Sequence, residues 1–427
     1  MSTSSLSRPL LALITTLAVQ ALATIAMSAA SVLAPVAAPD LGVHASQVGW
    51  FVGLAYAAAM VFGLAGGTLT QRHGPIRVSQ MALGACAIGL MAAALTGLAH
   101  PAGAATAAGL SLLAWVGLPL AALAIGAGYG LPNPSASMLL GRHAPAHRRG
   151  LFFSIKQTGV PLGVGLAGLI IPLLLARWSW PLALLALALG CLGLILALQP
   201  TLTLNTPAAS PSRQSGQAAL ARVWREPALR RLALASLAYS MTQLCFVTFL
   251  VSTLTLEHGM GLVVAAGVLS TSQVLSVLSR VGWGQLADHW ITPLRLLGLL
   301  GVAMGGCAAG LGLMPAPASA PLALIAALAC AATSMAWNGV YFAELAHRVP
   351  ADELAQITAG TQFLTFLGAM AGPMIFSALV GPLGSHGRTY AALAVIPALV
   401  GAWLLVAAAR ESASNRKAGT AHATRSH

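Results

Sequence analysis

Twelve apolar stretches, each long enough to cross a lipid bilayer, follow one another along this chain with short polar connectors between them. A helical span needs about 20 mostly apolar residues. Stretches near 10–33, 47–69, 77–98, 116–140, 151–175 and 180–199 meet that length, as do stretches near 229–255, 262–286, 295–314, 321–345, 354–380 and 389–409. They are rich in Leu and Ala and lack the period-two alternation of barrel strands, so helices are expected. Only 7% of residues are charged and 58% are hydrophobic. A soluble domain carries roughly a quarter charged residues, which rules out a water-facing fold. The expected class is an all-α membrane protein.

Positive charge sets the orientation. Of the 21 lysines and arginines, all but Arg177, Arg388, Lys156 and Arg280 fall on one side of the membrane when the N-terminus is placed there. The positive-inside rule makes that side cytoplasmic. Both termini are therefore expected in the cytoplasm, and the chain in an inner (cytoplasmic) membrane of bacterial type. The net charge of +13 belongs to these connectors and not to a basic stripe, so nucleic acid is not an expected partner. The apolar stretch after Arg8 is too long for the core of a signal peptide and reads as an uncleaved helix. Cys86, Cys191, Cys245, Cys307 and Cys330 are scattered through apolar runs, a pattern of neither a disulfide framework nor a metal site.

The chain repeats itself. A shift of 205 residues superposes Asn133 on Asn338, Pro145 on Pro350, Gln157 on Gln362 and Gly163 on Gly368, and a shift of 217 brings Gly67 onto Gly284. Two related halves follow: a six-helix bundle over 1–199, a Ser-, Pro- and Arg-rich cytoplasmic linker over 200–227, a second bundle over 228–410 and a polar, disordered cytoplasmic tail over 411–427. Residues 99–115 form an apolar surplus, read as an interfacial segment.

The connector after the second span contains Gly67, Gln71, Arg72, Gly74 and Arg77. Its counterpart after the eighth contains Gly284, Asp288 and Arg295. This pattern resembles the signature loop of the major facilitator superfamily, in which glycine, acidic and basic residues gate the cytoplasmic side. The resemblance spans the whole chain and implies two pseudo-symmetric six-helix bundles around a central cavity. It also implies that spans five and eight face each other. Gly67 and Gly284 would permit close helix approach, and Asp288 could meet a neighbouring helix N-terminus. The first copy carries Gln71 where the family usually has Asp, which weakens its charge latch. Gly126, Gly128 and Gly130 lie inside an apolar helix, so they read as helix-packing positions and not as a dinucleotide loop.

Lys156 and Arg280 stand inside spans, where charge is costly and marks a substrate pathway or an internal pair. No Asp, Glu or His falls at a span centre. An anionic substrate is the natural partner for the two cations. The bland alternatives are Lys156 snorkelling to the interface and Arg280 pairing with Asp288 or Glu344. The string from Arg280 to Asp288 resembles span eight of the monocarboxylate and oxalate transporter branches, where an equivalent arginine binds substrate carboxylate. Arg148, Arg149 and Leu151, followed by Gly159 and Gly163, echo part of a monocarboxylate pattern, but span one lacks that branch's signature. Asn133, Gln157, Asn338, Tyr341 and Gln362, with Gln20, Tyr239 and Gln243, are candidates to orient the substrate or to serve as interhelical glue.

The expected function is secondary transport of a small organic anion, a carboxylate by preference, through alternating access by a monomer without cofactor or metal. An exporter of hydrophobic or cationic compounds in the same superfamily is the alternative, and it would need negative charge in the cavity. A membrane enzyme would need a metal cluster or a nucleophile–base pair within the spans, and none is legible.

Overall fold

The computed structural model describes residues 4–99, 112–145, 149–207, 216–349 and 354–423. These residues contain 12 helices long and apolar enough to span a membrane. They are Arg8–Asp40, Ala45–His73, Pro75–Leu98, Ala114–His143, Ile155–Leu175 and Trp180–Ala197, then Pro227–Leu256, Leu262–Ala287, Pro293–Gly312, Ala320–Arg348, Gly360–Leu383 and His386–Ala413. They pack as two six-helix bundles, the pseudo-symmetric arrangement expected. Most of the surplus segment 99–115 falls outside the described residues.

Two boundaries differ from expectation. The linker is not simply irregular: Gln199–Leu204 forms a 3₁₀ turn and Gly216–Arg225 a helix. Residues after Arg410 continue the last helix to Ala423 instead of leaving it. One reason lies in Glu411, whose carboxylate accepts hydrogen bonds from Arg348 (2.8 Å) and Arg231 (2.8 Å), tying the twelfth span to the tenth and seventh. Glu344 pairs with Arg348 as well.

Glycines set the spacing inside each bundle. In a bilayer the hydrophobic effect does not drive helix association, so close backbone approach contributes more. A Cβ on Gly126 would meet the carbonyl of Ala55, one on Gly128 the carbonyl of Ala82, and one on Gly130 the carbonyl of Ala59. The fourth span is thus wedged against the second and third. The repeat pair Gly163 and Gly368 plays one role twice. Gly163 lets the fifth span rest on the Ala21 carbonyl of the first, and Gly368 lets the eleventh rest on the Leu237 carbonyl of the seventh. Gly67 and Gly284 do not act this way. In this conformation a Cβ at either position would find open space.

Among the described residues, close backbone contacts between the halves gather toward one end. Gly49 of the second span abuts the Pro373 carbonyl and Ser377 of the eleventh, and Gly53 abuts Met374. The Ser377 hydroxyl donates to the Ser46 carbonyl. Gly168 of the fifth span packs on Ala266 and Ser270 of the eighth, and Ser270 Oγ donates to the Gly165 carbonyl at 2.8 Å. All these contacts lie toward the end opposite the arginine-rich connectors.

These contacts predict a contrast. Gly126→Ala overpacks the fourth span against the second and lowers stability by about 1–3 kcal/mol. Gly67→Ala leaves stability unchanged or raises it by up to about 1 kcal/mol, since it replaces a mid-helix glycine in open space. Thermal unfolding of the purified variants in detergent measures both. Equal losses would contradict the packing described here.

Candidate functional site

Interrupted helices define the centre of the molecule. The fourth span consists of helices Leu112–Gly130 and Pro132–His143, which meet at Leu131. Pro132 cannot donate a backbone hydrogen bond and so favours the break before it. The tenth span consists of Ala320–Ser334 and Trp337–Arg348, interrupted at Met335 and Ala336. Under the 205-residue repeat, Leu131 corresponds to Ala336, so the two halves break at the same place. The fifth span is interrupted at Thr158. Broken helices at membrane depth are where transporters commonly build their sites, because freed backbone groups and polar side chains meet there.

Lys156 sits two residues before the break in the fifth span. It is 3% exposed, so it does not snorkel to the interface. Its ammonium donates to Gln20 Oε1 of the first span at 3.0 Å and to Asn133 Oδ1 of the fourth. Both acceptors are neutral amides, and Lys156 makes no ion pair among the described residues. Gln20 is buried and its Nε2 lies 3.4 Å from Thr24 Oγ1 of the same helix.

Arg280 belongs to the other half. Its Nε donates to the Met335 carbonyl at 3.0 Å, inside the break of the tenth span. Trp283, one turn on, donates its indole N–H to the Ala332 carbonyl at 2.7 Å. The eighth span thereby satisfies carbonyls that the broken helix leaves without partners. The suggested pairing of Arg280 with Glu344 does not occur, since Glu344 is taken by Arg348. The Asp288 side chain lies outside the described residues.

Lys156 precedes Gly165 by nine residues and Arg280 follows Gln273 by seven, and Gly165 and Gln273 pack together across the halves. At 1.5 Å per residue the two cations stand about 13 Å and 10 Å beyond that contact, at similar depth. Tyr129 of the first half faces Arg280. Its hydroxyl is on the first half and interacts electrostatically with Arg280 of the second. Its ring packs edge-on to Tyr56 at 5.8 Å, and Tyr56 lies 6.3 Å from Phe366 across the halves.

The other candidates divide. Asn133 belongs to the Lys156 cluster. Gln157 is exposed, and Asn338 and Gln362 are half-buried. Tyr341 is buried with its ring edge-on to Trp337 (5.5 Å) and Phe342 (5.3 Å). Tyr239 and Gln243 are interhelical glue: the Tyr239 hydroxyl donates to the Leu297 carbonyl at 2.9 Å, and Gln243 accepts from Trp337 at 3.0 Å.

In the first signature connector, Gly74 has φ of 86°, a conformation that favours glycine. A linker residue completes it. Asn205 Oδ1 accepts the backbone N–H groups of Ile76 (2.9 Å) and Arg77 (3.2 Å), capping the third span, while its Nδ2 donates to the His73 carbonyl at 3.0 Å. The signal for this in the sequence is the missing cap: Gly74-Pro75 offers no side-chain acceptor of its own. Arg72, Arg77 and Arg295 are exposed. A separate apolar recess of about 490 Å³, lined by Leu33, Phe51, Trp115 and Trp180 among others, lies within the first half and includes neither cation.

The sequence profile of the Major Facilitator Superfamily matches residues 16–373. The chain belongs to that superfamily, and it is a multi-pass membrane transporter and not an enzyme. Two uncharacterized MFS-type transporters of Mycobacterium tuberculosis, from strains CDC 1551 and H37Rv, are each 30% identical over 200 residues, which cover 46% of this chain and 44% of theirs. The matched region thus spans less than half the length of these relatives. Among solved structures, a peptide transporter POT in complex with sulfate superposes with a TM-score of 0.73 at 18% identity, covering 94% of each chain. A POT family transporter in complex with 5-aminolevulinic acid gives 0.70 at 14% identity, covering 92% of this chain and 95% of that one. A bacterial homolog of the human lysosomal transporter Spinster, in an inward-facing and occupied conformation, gives 0.70 at 16%, covering 95% and 96%. These likenesses establish the fold.

The amide cage around Lys156 predicts a rescue. Gln20→Leu removes one of its two acceptors and lowers stability by about 1–3 kcal/mol. Adding Lys156→Met removes the buried charge and recovers most of the loss. Thermal unfolding of wild type, single and double variants checks this, and a double variant less stable than Gln20→Leu would overturn it.

Proposed function

We propose that this transporter moves a small organic anion, a carboxylate by preference, across the inner membrane by alternating access. One observation carries the reading. Lys156 and Arg280, one from each half and at similar depth, are held by neutral oxygens and by no carboxylate among the described residues. Buried cations in a membrane are costly without a counter-charge. A bound carboxylate would supply one and draw the halves together. Asn133 and Gln157 on one half, and Asn338, Tyr341 and Gln362 on the other, are the proposed orienting groups. The eighth-span string from Arg280 to Asp288 supports a carboxylate over other anions through its likeness to the monocarboxylate and oxalate branches.

With the arginine-rich connectors and both termini in the cytoplasm, the closed end faces outward and the open end inward. On this reading residues 1–199 and 228–410 rock against each other as a monomer, joined by 200–227 and followed by the tail 411–427. The connectors bearing Gly67, Arg72, Gly74 and Arg77, and Gly284, Asp288 and Arg295, would meet when the inner side closes. The alternative of exporting hydrophobic or cationic compounds loses support from the same charge pattern, because the site presents cations to its cargo.

The expected outcome is loss of carboxylate transport in Arg280→Ala and in Lys156→Ala. Each removes a charge-assisted hydrogen bond of about 1.5–3 kcal/mol, or about ten- to a hundredfold in affinity. Uptake of radiolabelled mono- and dicarboxylates into proteoliposomes measures it. Uptake unchanged in both variants would sink the anion reading.

A further inference from the structure

The seal between the halves carries titratable side chains that the proposed transport site does not use. Glu257 follows the seventh span and His386 opens the twelfth. One carboxylate oxygen of Glu257 accepts the backbone N–H of His386, and the other accepts that of Gly387 at 3.0 Å. The carboxylate therefore sits at a helix N-terminus, where unpaired N–H groups and the dipole favour an anion. His386 Nδ1 lies 3.2 Å from the same carboxylate, so in the neutral ring it donates there. The opposite nitrogen, Nε2, is buried without a partner.

Around His386 stand Phe376 at 5.9 Å, Phe249 at 6.0 Å and, from the other half, His44 stacked at 6.1 Å with 19° between the planes. His44 in turn shapes the seal. Its Nδ1 accepts the backbone N–H of Ser46 at 3.3 Å and lies 2.7 Å from Ser46 Oγ, capping the 3₁₀ turn Ala45–Gln47. The carbonyl of that same Ser46 receives the Ser377 hydroxyl across the halves.

We infer that His44 and His386 make this seal a proton-sensitive gate: protonating the two rings opens the end of the transporter opposite the basic connectors. The inference does not rest on the nature of the cargo. Protonating His44 at Nδ1 turns an acceptor into a donor facing the Ser46 N–H, which removes the cap on the turn that presents the Ser46 carbonyl. Protonating His386 adds charge at Nε2, among aromatic rings and against the stacked His44. Glu257 offsets one of the two charges. Burial raises its pKa, but the hydrogen bonds from the His386 ring and from the His386 and Gly387 backbone outweigh that, and the net shift is downward. Glu257 therefore favours its ionised form. The second imidazolium has no counter-ion among the described residues.

The other titratable groups nearby are engaged elsewhere. His258, on the connector after Glu257, accepts the Ala318 N–H at 3.2 Å. Tyr390 donates to the Cys245 carbonyl at 3.1 Å, and Arg388 is exposed and donates to the Leu383 carbonyl at 3.3 Å. Asp40, at the end of the first span, accepts from Trp180 at 2.8 Å. The eleventh span contributes Phe376 and Ser377, and the second contributes Gly49, none of which titrates. The sign follows. The closed arrangement uses His44 as a neutral acceptor and stacks it on His386, so protons bind the open arrangement better. Closure is favoured at high pH and is lost as pH falls.

The test is the distance between the halves at the sealed end. Nitroxide labels at Arg177→Cys and Leu313→Cys, on a Cys307→Ala background in full-length protein in lipid nanodiscs, report it by pulsed dipolar spectroscopy; the other native cysteines are buried. From pH 8 to pH 5 the population should move to longer distances. His44→Gln with His386→Gln should remove that response. Ser377→Ala should shift the population toward long distances at every pH while keeping the response. Lys156→Ala should also keep it, which separates failure of this gate from failure of the anion site. A wild-type distribution independent of pH overturns the inference, and so does an unchanged response in the double histidine variant.

Discussion

Helices in hydrocarbon gain little by exchanging lipid for one another, so what holds them is contact too close for lipid to imitate. In this transporter that contact is repeatedly backbone on backbone. Gly126, Gly128 and Gly130 bring the fourth span against carbonyls of the second and third, and Gly163 and Gly368 do the same for the leading helix of each half. Every other arrangement follows from this spacing. It brings Gln20, Asn133 and Lys156 within hydrogen-bonding distance although 136 residues separate Gln20 from Lys156.

The interface between the halves is built differently. It uses a small number of polar contacts at one end, such as Ser377 on Ser46 and Ser270 on Gly165, together with glycines whose neighbours belong to the opposite half. On the alternating-access reading proposed above, this interface must both form and break. Hydrogen bonds suit this role, since each contributes about 1 kcal/mol net. Water can also replace them once the seal opens.

Much of this architecture was legible before any coordinates. Apolar length located the spans, because hydrocarbon thickness sets a strict minimum. The repeat offsets carried physical meaning at Gly163 and Gly368, where one backbone contact recurs. Other residues misled. Gly67 and Gly284 are conspicuous in the signature connectors, yet no backbone approaches them in this conformation. The fate of Lys156 depended on partners far away in sequence, and periodicity cannot distinguish a snorkelling lysine from a caged one. Asn205 and Glu411 sit in stretches that read as linker and tail by composition, but each completes a helix end or a charge cluster contributed by other spans. The two histidines of the seal were invisible for the same reason, since each stands at a span boundary in a different half.

The interrupted tenth span has a mechanical consequence. A break in a helix is commonly taken as a hinge, a joint where two segments bend freely. Here the carbonyls of Ala332 and Met335 are occupied by Trp283 and Arg280 of the eighth span. Bending at the break would pull those oxygens off their donors. The joint is therefore splinted. Two donors of the eighth span thus brace the tenth at its midpoint, where the helix is weakest.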